Sequence, residues 1–389
     1  MKFGKLGAIL VAIAMMVSGC TTIDGADQGD DEKYSIVVST FYEYDWIMQI
    51  LGDEKDNFEV LYLMDLGVDL HSYEPTARDI VAIGEADLFV YNGGNSHNWV
   101  EDIVAEPINE SFRSISVLES LGDVVVPEVS LDGPAGEGCN HEGCDHEHED
   151  GHDHEHEDCD HEHEDDHDHE HEHEDCDHEH DNDNEHGHEE CDFEYEECNF
   201  ENEEGNDHEA HYDEHIWLSL RNAQTVVSIL ATEIATIDTE NADVYLANAK
   251  LYNQQLSDLD KEYIEVVDGA ARDTIVFADR FPFFYMMNDY GIKYYAAFAG
   301  CSAESEASFE TIKFLAQKVD ELGAKKLVIL HNGLEGIANT INESITIDKC
   351  EILTLNQIEA VSQSEIDAGA TYLKYMEENL EVIKQALAE

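Results

Sequence analysis

Two stretches of the chain alternate short apolar runs with amphipathic ones, a pattern typical of α/β folds. The first stretch contains three apolar runs of strand length, at residues 34–40, 58–63 and 87–91. Apolar residues at helical spacing between them predict helices at 43–51 and 77–84. Thr76, with Asp79 three residues later, is typical of a helix start.

The second stretch repeats this order. Its predicted strands are residues 274–277, 293–298, 326–330 and 351–355. Between the stretches, residues 241–267 have apolar positions at helical spacing and no Gly or Pro, so we expect one long connecting helix. The predicted fold is an α/β protein of two βα lobes joined by one long helix.

A polar segment, residues 139–211, interrupts the first stretch and is called the His-rich segment below. It holds 18 of the chain's 22 histidines, many Asp and Glu, and no Lys or Arg. With almost no apolar residues, it cannot bury enough surface to offset the entropy lost on ordering. We therefore expect a disordered loop, 138–212, inserted in the N-terminal lobe. Its imidazoles and carboxylates favour loose binding of several metal ions.

The first twenty residues have the pattern of an exported lipoprotein. Two lysines precede an apolar run at residues 6–17, which is shorter than the roughly 20 residues that a bilayer core requires. Two small residues and Cys20 follow, and Cys20 resembles the lipidated cysteine of a bacterial lipoprotein signal. We expect a signal peptide at 1–19 and a lipid-anchored linker at 20–33.

The remaining boundaries and the charge complete this organisation. We expect an N-terminal lobe at 34–238, the connecting helix at 239–269 and a C-terminal lobe at 270–389. The formal charge of −72 excludes nucleic acid as a partner, because the phosphate backbone attracts basic proteins. The predicted protein is an extracytoplasmic monomer, held at the cell membrane by its lipid.

Four histidines lie outside the His-rich segment: His71, His97, His215 and His331. His71 lies between a predicted strand and a helix start, and His215 lies just before another helix. Ligands of open α/β sheets collect at the carboxyl ends of strands, so these two are candidate metal ligands. The alternative is a surface or hydrogen-bonded role. We expect His97 at the rim of the site.

The sequence HSYEPT at residues 71–76, with DEHIWLS at 213–219, resembles the solute-binding lipoproteins of zinc and manganese ABC importers. The likeness continues in VVSTFYEYDWI, ADLFVYNGGNSHNW and GATYLKYMEENLEVIKQAL and covers nearly the whole mature chain. It implies a metal cleft between the lobes, with His71 and His215 as N-lobe ligands. A loop rich in His and acid is typical of the zinc-handling branch. The implied cargo is Zn²⁺, with Mn²⁺ as the alternative, and the implied partner is a membrane permease.

The C-terminal lobe departs from the pattern of that family. The family carries His or Glu before an F-x-Y helix, and alignment on Phe283 and Tyr285 places Arg280 there. Arginine is not a metal ligand, so the neighbouring Asp279 becomes the candidate. Its alternative role is to cap the next helix.

Two further candidates lie in the C-terminal lobe. The family's last ligand follows the final strand, where Glu359 is a nearby acid. His331 ends a predicted strand and is another candidate. Cys301 and Cys350 are a possible disulfide, since an exported protein meets an oxidising compartment.

These observations favour a protein that is not an enzyme, which captures zinc outside the cytoplasm and delivers it to an importer. The alternative is a surface zinc buffer or metal-binding adhesin, in which the His-rich segment is the functional part. That segment contains three HExxH matches, but a zinc hydrolase needs this motif on a packed helix.

Overall fold

The computed structural model describes residues 33–128, 131, 133, 212–300, 307–333 and 335–388. The predicted signal peptide with Cys20, the His-rich segment and Cys301 lie outside these residues. Within them, two parallel sheets of four strands form two lobes, as predicted.

In the N-terminal lobe, the sheet order is β2-β1-β3-β4. The strands are β1 (Tyr34–Val38), β2 (Phe58–Tyr62), β3 (Leu88–Tyr91) and β4 (Arg113–Ser116). The helices are α1 (Phe41–Leu51), α2 (Ala77–Glu85), α3 (Glu101–Ala105), α4 (Val117–Leu121) and α5 (Leu220–Ile237). Strand order reverses between β1 and β3, so the loops that follow the strands open a crevice there. The three predicted strands are confirmed, and β4 is additional. The predicted capping box of Thr76 and Asp79 begins α2.

Helix α6 (Ala242–Asp268) confirms the long connecting helix. Its 27 residues span about 40 Å at 1.5 Å per residue. One face of the helix, with Tyr245, Tyr252 and Leu256, is buried. The helix packs mainly on α5 and α1 of the N-terminal lobe. No helix in the described ranges is both long enough and apolar enough to cross a bilayer.

The C-terminal lobe repeats the architecture, with sheet order β6-β5-β7-β8. Its strands are β5 (Thr274–Phe281), β6 (Lys293–Ala299), β7 (Lys326–Leu330) and β8 (Glu351–Leu355). Its helices are α7 (Phe284–Tyr290), α8 (Phe309–Leu322), α9 (Gly336–Ser344), α10 (Gln363–Asp367) and α11 (Tyr372–Ala386). Strand β5 runs four residues beyond its predicted end, with a register shift between Phe277 and Arg280.

Hydrogen bonds between buried side chains and backbone join the two lobes. The Tyr62 hydroxyl donates to the Val361 carbonyl at 2.9 Å, and the Trp217 indole donates to the Gln357 carbonyl at 2.7 Å. The Tyr372 hydroxyl donates to the Trp217 carbonyl at 2.6 Å. Because the donors of these bonds are buried side chains, the bonds hold the two lobes together.

Candidate metal centre

A short 3₁₀ turn, Leu70–Ser72, carries His71 at the carboxyl-end side of the N-terminal sheet. Asp69 caps this turn, because its side chain accepts a hydrogen bond from the His71 backbone at 2.9 Å. The Ser96 hydroxyl lies 2.7 Å from His71 Nδ1, and Nε2 lies 3.7 Å from Glu359 Oε1. The turn and the serine together direct Nε2 of His71 towards the C-terminal lobe.

His215 lies beside His71, with ring centroids 5.6 Å apart. The residue is buried, and its Nδ1 lies 2.8 Å from Asp213 Oδ1. The Asp213 carbonyl accepts a hydrogen bond of 3.0 Å from the Tyr285 hydroxyl of the C-terminal lobe. An imidazole whose Nδ1 is held by a carboxylate presents Nε2 to a metal ion.

A buried network fixes the main chain next to His215. The Tyr42 hydroxyl donates to Asn92 Oδ1 at 2.8 Å, and Asn92 Nδ2 donates to the Glu214 carbonyl at 3.0 Å. The Tyr42 ring stacks on the buried Trp217 with centroids 4.5 Å apart, so this tryptophan packs beside the centre. The Glu214 side chain is itself buried, with Oε2 at 3.9 Å from His71 Nδ1. Glu214 therefore adds negative charge behind His71.

Glu359 reaches the same place from the loop after β8. It is 3% exposed, and its Oε1 accepts a hydrogen bond from the Leu70 backbone at 2.9 Å. The preceding residue, Ile358, is buried with φ of +58°, a left-handed conformation that is costly for a β-branched residue. Asn356 Oδ1 supports it by accepting a hydrogen bond from the Ile358 backbone at 2.7 Å. The loop is thus constrained in the conformation that directs Glu359 into the crevice.

Burial sets the protonation of these groups. It lowers the pKa of His71, and the neighbouring His215 lowers it further, which favours the neutral imidazole that coordinates metals. Burial also raises the pKa of Glu359 to about 7, with a further contribution from Asp69. A metal ion would therefore displace a proton from Glu359 near neutral pH.

The donor atoms have the spacing of a metal centre. Candidate donor atoms of Asp69, His71 and Glu359 lie within 4.8 Å of one another, the one such group in the described part of the chain. Tetrahedral zinc with bonds of about 2.0–2.1 Å places its ligands about 3.4 Å apart, close to the 3.7 Å between His71 Nε2 and Glu359 Oε1. The structure thus places Asp69, His71 and Glu359 in one candidate group, with the His215 ring and the Glu214 side chain beside His71. Sequence reasoning missed both acids, although Glu214 directly precedes His215 and Asp69 lies two residues before His71.

Asp279 and His331 lie outside this group. Asp279 Oδ1 accepts a hydrogen bond from the Arg280 backbone at 2.9 Å, and Oδ2 accepts one from the Leu330 backbone at 3.2 Å. Both oxygens thus hold the ends of β5 and β7. Its alternative capping role is wrong, because Phe283 is the N-cap of α7. His331 is exposed, and its backbone donates to the Leu355 carbonyl.

The expectation that His97 lies at the rim is wrong. It is 3% exposed and packs between Tyr91 and Trp99, with ring centroids at 5.7 and 5.6 Å. Burial lowers the pKa of His97 to about 4, so the imidazole is neutral at physiological pH. The sequence carries no periodic signal for this burial, because His97 lies in an irregular 3₁₀ turn.

Cys350 is buried, and its thiol donates to the Ala324 carbonyl at 3.2 Å. Since Cys301 lies outside the described residues, the disulfide stays a prediction.

Comparisons with known proteins agree with this architecture. The "Zinc-binding protein AdcA" of Streptococcus pyogenes serotype M3 is 26% identical over 349 residues, which are 90% of this chain and 55% of that protein. The chain therefore spans about half the length of this relative. The "High-affinity zinc uptake system protein ZnuA" of Bacillus subtilis is 28% identical over 97% of this chain and 96% of its own length.

A solved structure has the same fold. The zinc-bound ZnuA-like domain of Streptococcus pneumoniae AdcA superposes with a TM-score of 0.60 at 22% identity, over 92% of this chain and 100% of that domain. The family model described as "Zinc-uptake complex component A periplasmic" matches residues 36–386, which include both lobes and every residue of the candidate centre. The chain belongs to this zinc-uptake family.

Proposed function

We propose that this chain is a solute-binding protein without enzymatic activity, which captures zinc outside the cytoplasm and delivers it to the permease of an ABC importer. One observation carries the proposal. A buried carboxylate of the C-terminal lobe, Glu359, lies 3.7 Å from Nε2 of His71 in the N-terminal lobe. Membership of a zinc-uptake family and the names of the relatives support it.

The proposed ligands are His71, His215 and Glu359. Each histidine would coordinate through Nε2, because Ser96 and Asp213 lie against the two Nδ1 atoms. Two imidazoles and one carboxylate favour Zn²⁺, whereas Mn²⁺ prefers sites built mainly from carboxylates and other oxygen ligands. Manganese is therefore the less favoured cargo.

Capture and release of zinc would both depend on the contact between the two lobes. Because His71 and Glu359 belong to different lobes, a bound ion cross-links them and stabilises their association. A permease that separates the lobes would remove Glu359 and weaken the site. Lipidation at Cys20 would keep the protein, as a monomer, near that permease.

Metal analysis and calorimetric titration of the mature protein test this function. We expect one tight zinc equivalent in the parent protein, and its loss or weakening in His71→Ala and His215→Ala. A folded parent protein that binds no zinc tightly, or variants that bind as tightly as the parent, would contradict the proposal. Comparison with Mn²⁺ in the same titration identifies the preferred cargo.

A second candidate function, a surface zinc buffer or metal-binding adhesin, is favoured by the 18 histidines of the His-rich segment. Growth at limiting zinc separates the two. An importer component fails when His71 is replaced, whereas a buffer fails when residues 139–211 are deleted and tolerates the His71 change.

A further inference from the structure

Arg280 is a cation in the lobe that supplies Glu359. It lies at the carboxyl end of β5, where it pairs with Phe298 of β6. Five residues later, the Tyr285 hydroxyl donates a hydrogen bond of 3.0 Å to the carbonyl of Asp213. Asp213 lies two residues before His215. The chain that follows β5 therefore contacts the segment that carries His215. Beside the larger effect of burial, the charge of Arg280 lowers the pKa of both His71 and Glu359.

The guanidinium of Arg280 has no hydrogen bond or ion pair with any residue in the described ranges. Its backbone N–H, in contrast, donates to Asp279 Oδ1 at 2.9 Å. The other arginines of this lobe and of α5 are engaged: Arg272 donates to the carbonyls of Leu322 and Gly323, and Arg221 pairs with Asp260. Arg280 is thus a partly buried cation whose guanidinium donors have no partner among the described residues.

A guanidinium cannot coordinate a metal, since it has no acceptor atom, and it stays charged in proteins. Alone, it repels a divalent ion held by His71 and Glu359. An anion bound between the guanidinium and the metal ion attracts both of these cations. The planar fork of donors matches the two oxygens of a carboxylate or bicarbonate.

The proposed protein ligands also leave a place for such an anion. Zinc is four-coordinate in most protein sites, and His71, His215 and Glu359 supply three donors. Asp69 is the other acid nearby, but its side chain accepts the His71 backbone hydrogen bond and shapes the turn.

We propose that Arg280 holds a small oxyanion of the carboxylate or bicarbonate type, which completes the coordination of the metal beside His71 and Glu359. This inference rests on the proposed function, since it concerns the same metal centre. Metal and anion bind together, and each raises the affinity for the other by the same factor. Arg280 is then a positioning residue for the anion and makes no contact with the metal.

Competition titration with a chromophoric zinc chelator tests the proposal. The mature parent protein is titrated in a non-coordinating buffer freed of carbon dioxide, and then with added sodium bicarbonate, sodium acetate or, as the ionic-strength control, sodium perchlorate. We expect bicarbonate or acetate to tighten zinc binding by at least about tenfold. The salt that tightens zinc binding identifies the type of anion. Arg280→Ala is expected to abolish this dependence and Arg280→Lys to retain part of it. Arg113→Ala, which removes an exposed ion pair with Glu233, serves as the matched control and keeps the dependence.

X-ray absorption at the zinc edge gives a second readout. When the anion is removed, the zinc ion in the parent protein is expected to lose or exchange one light-atom ligand. The zinc ligands in Arg280→Ala are expected to be the same with and without the anion. If the parent protein binds zinc tightly with no dependence on either anion, the inference is overturned. If, in addition, Asp69→Asn weakens binding, Asp69 is the fourth ligand. Absence of any tight zinc binding by the parent protein overturns the proposed function instead.

Discussion

The side chain of Glu359 accepts a hydrogen bond of 2.9 Å from the backbone N–H of Leu70, which joins the two lobes one residue before His71. The proposed metal centre therefore lies where the two lobes meet. Because Glu359 is buried and its loop is constrained at Ile358, the carboxylate is oriented before any ion arrives.

Replacing either histidine should weaken zinc binding without unfolding the protein. His71→Ala or His215→Ala removes one of three proposed donors, and we expect affinity to fall by at least about tenfold, roughly 1.4 kcal/mol. Competition titration measures the affinity, and thermal melts monitor folding. His331→Ala is the matched control, because His331 is exposed and outside the group. Equal losses in all three variants would contradict the assignment.

Ser96→Ala should weaken zinc binding by about tenfold, as is typical of groups that orient a metal-binding histidine. The Ser96 hydroxyl lies 2.7 Å from His71 Nδ1, so its loss frees the imidazole to rotate. Titration beside Ser120→Ala, whose hydroxyl donates to the Val117 carbonyl, provides the comparison. Unchanged affinity in Ser96→Ala would mean that Asp69 and the turn suffice to orient His71.

Zinc affinity should fall as the pH drops below about 7. Burial raises the pKa of Glu359 to about 7, and coordination requires the deprotonated carboxylate, so protons compete with zinc below that value. The pKa of His71 is lowered, and its imidazole stays available to lower pH. For one such proton, we expect the zinc affinity to fall by up to about tenfold per pH unit.

Glu359→Gln should bind more weakly and with a flatter pH profile, whereas Glu365→Gln, an exposed change on α10, should keep the parent profile. A parent profile that is flat between neutral and mildly acidic pH would argue against Glu359 as a ligand.

Deleting residues 139–211 should remove extra, weaker metal equivalents and leave one tight site. The deleted histidines alternate with carboxylates, a composition suited to loose binding, whereas His71, His215 and Glu359 remain. Calorimetric titration of the deleted protein measures both classes of site. Loss of the tight equivalent would show that the His-rich segment completes the centre, and an unchanged stoichiometry would show that it binds nothing.

Glu43 should make folding stability decrease as the pH rises. Its Oε2 accepts hydrogen bonds of 3.0 Å from the backbones of Ser39 and Thr40, and burial raises the pKa of Glu43 to about 8. Between about pH 5 and pH 8, the folded state keeps a proton that the unfolded state releases, so the free energy of unfolding falls with rising pH.

Glu43→Gln should remove this contribution, which amounts to at most about 1.4 kcal/mol per pH unit. Denaturant unfolding at mildly acidic and mildly basic pH measures it, with the exposed Glu119→Gln as control. The same pH dependence in parent and Glu43→Gln would show that Glu43 is ionised in the fold.

Local sequence patterns predicted both lobes, the connecting helix and the two candidate histidines. Strands and helices follow from apolar periods of two and 3.6 residues, which are local properties of the chain. His71 and His215 were identifiable because each lies in a short motif next to a helix start.

The C-terminal residue that lies near His71 could not be predicted in this way, because its position depends on how the lobes pack. Asp279 and Glu359 were both candidates, but β5 continues past Phe277 with a shifted register, so Asp279 binds the backbone of Leu330. Glu359 enters the crevice through a left-handed residue, Ile358, that no local pattern indicates. A metal centre needs donors from separate loops within a few ångströms, and that convergence depends on how the two sheets pack. Packing depends on contacts between residues far apart in the chain, which periodicity does not encode.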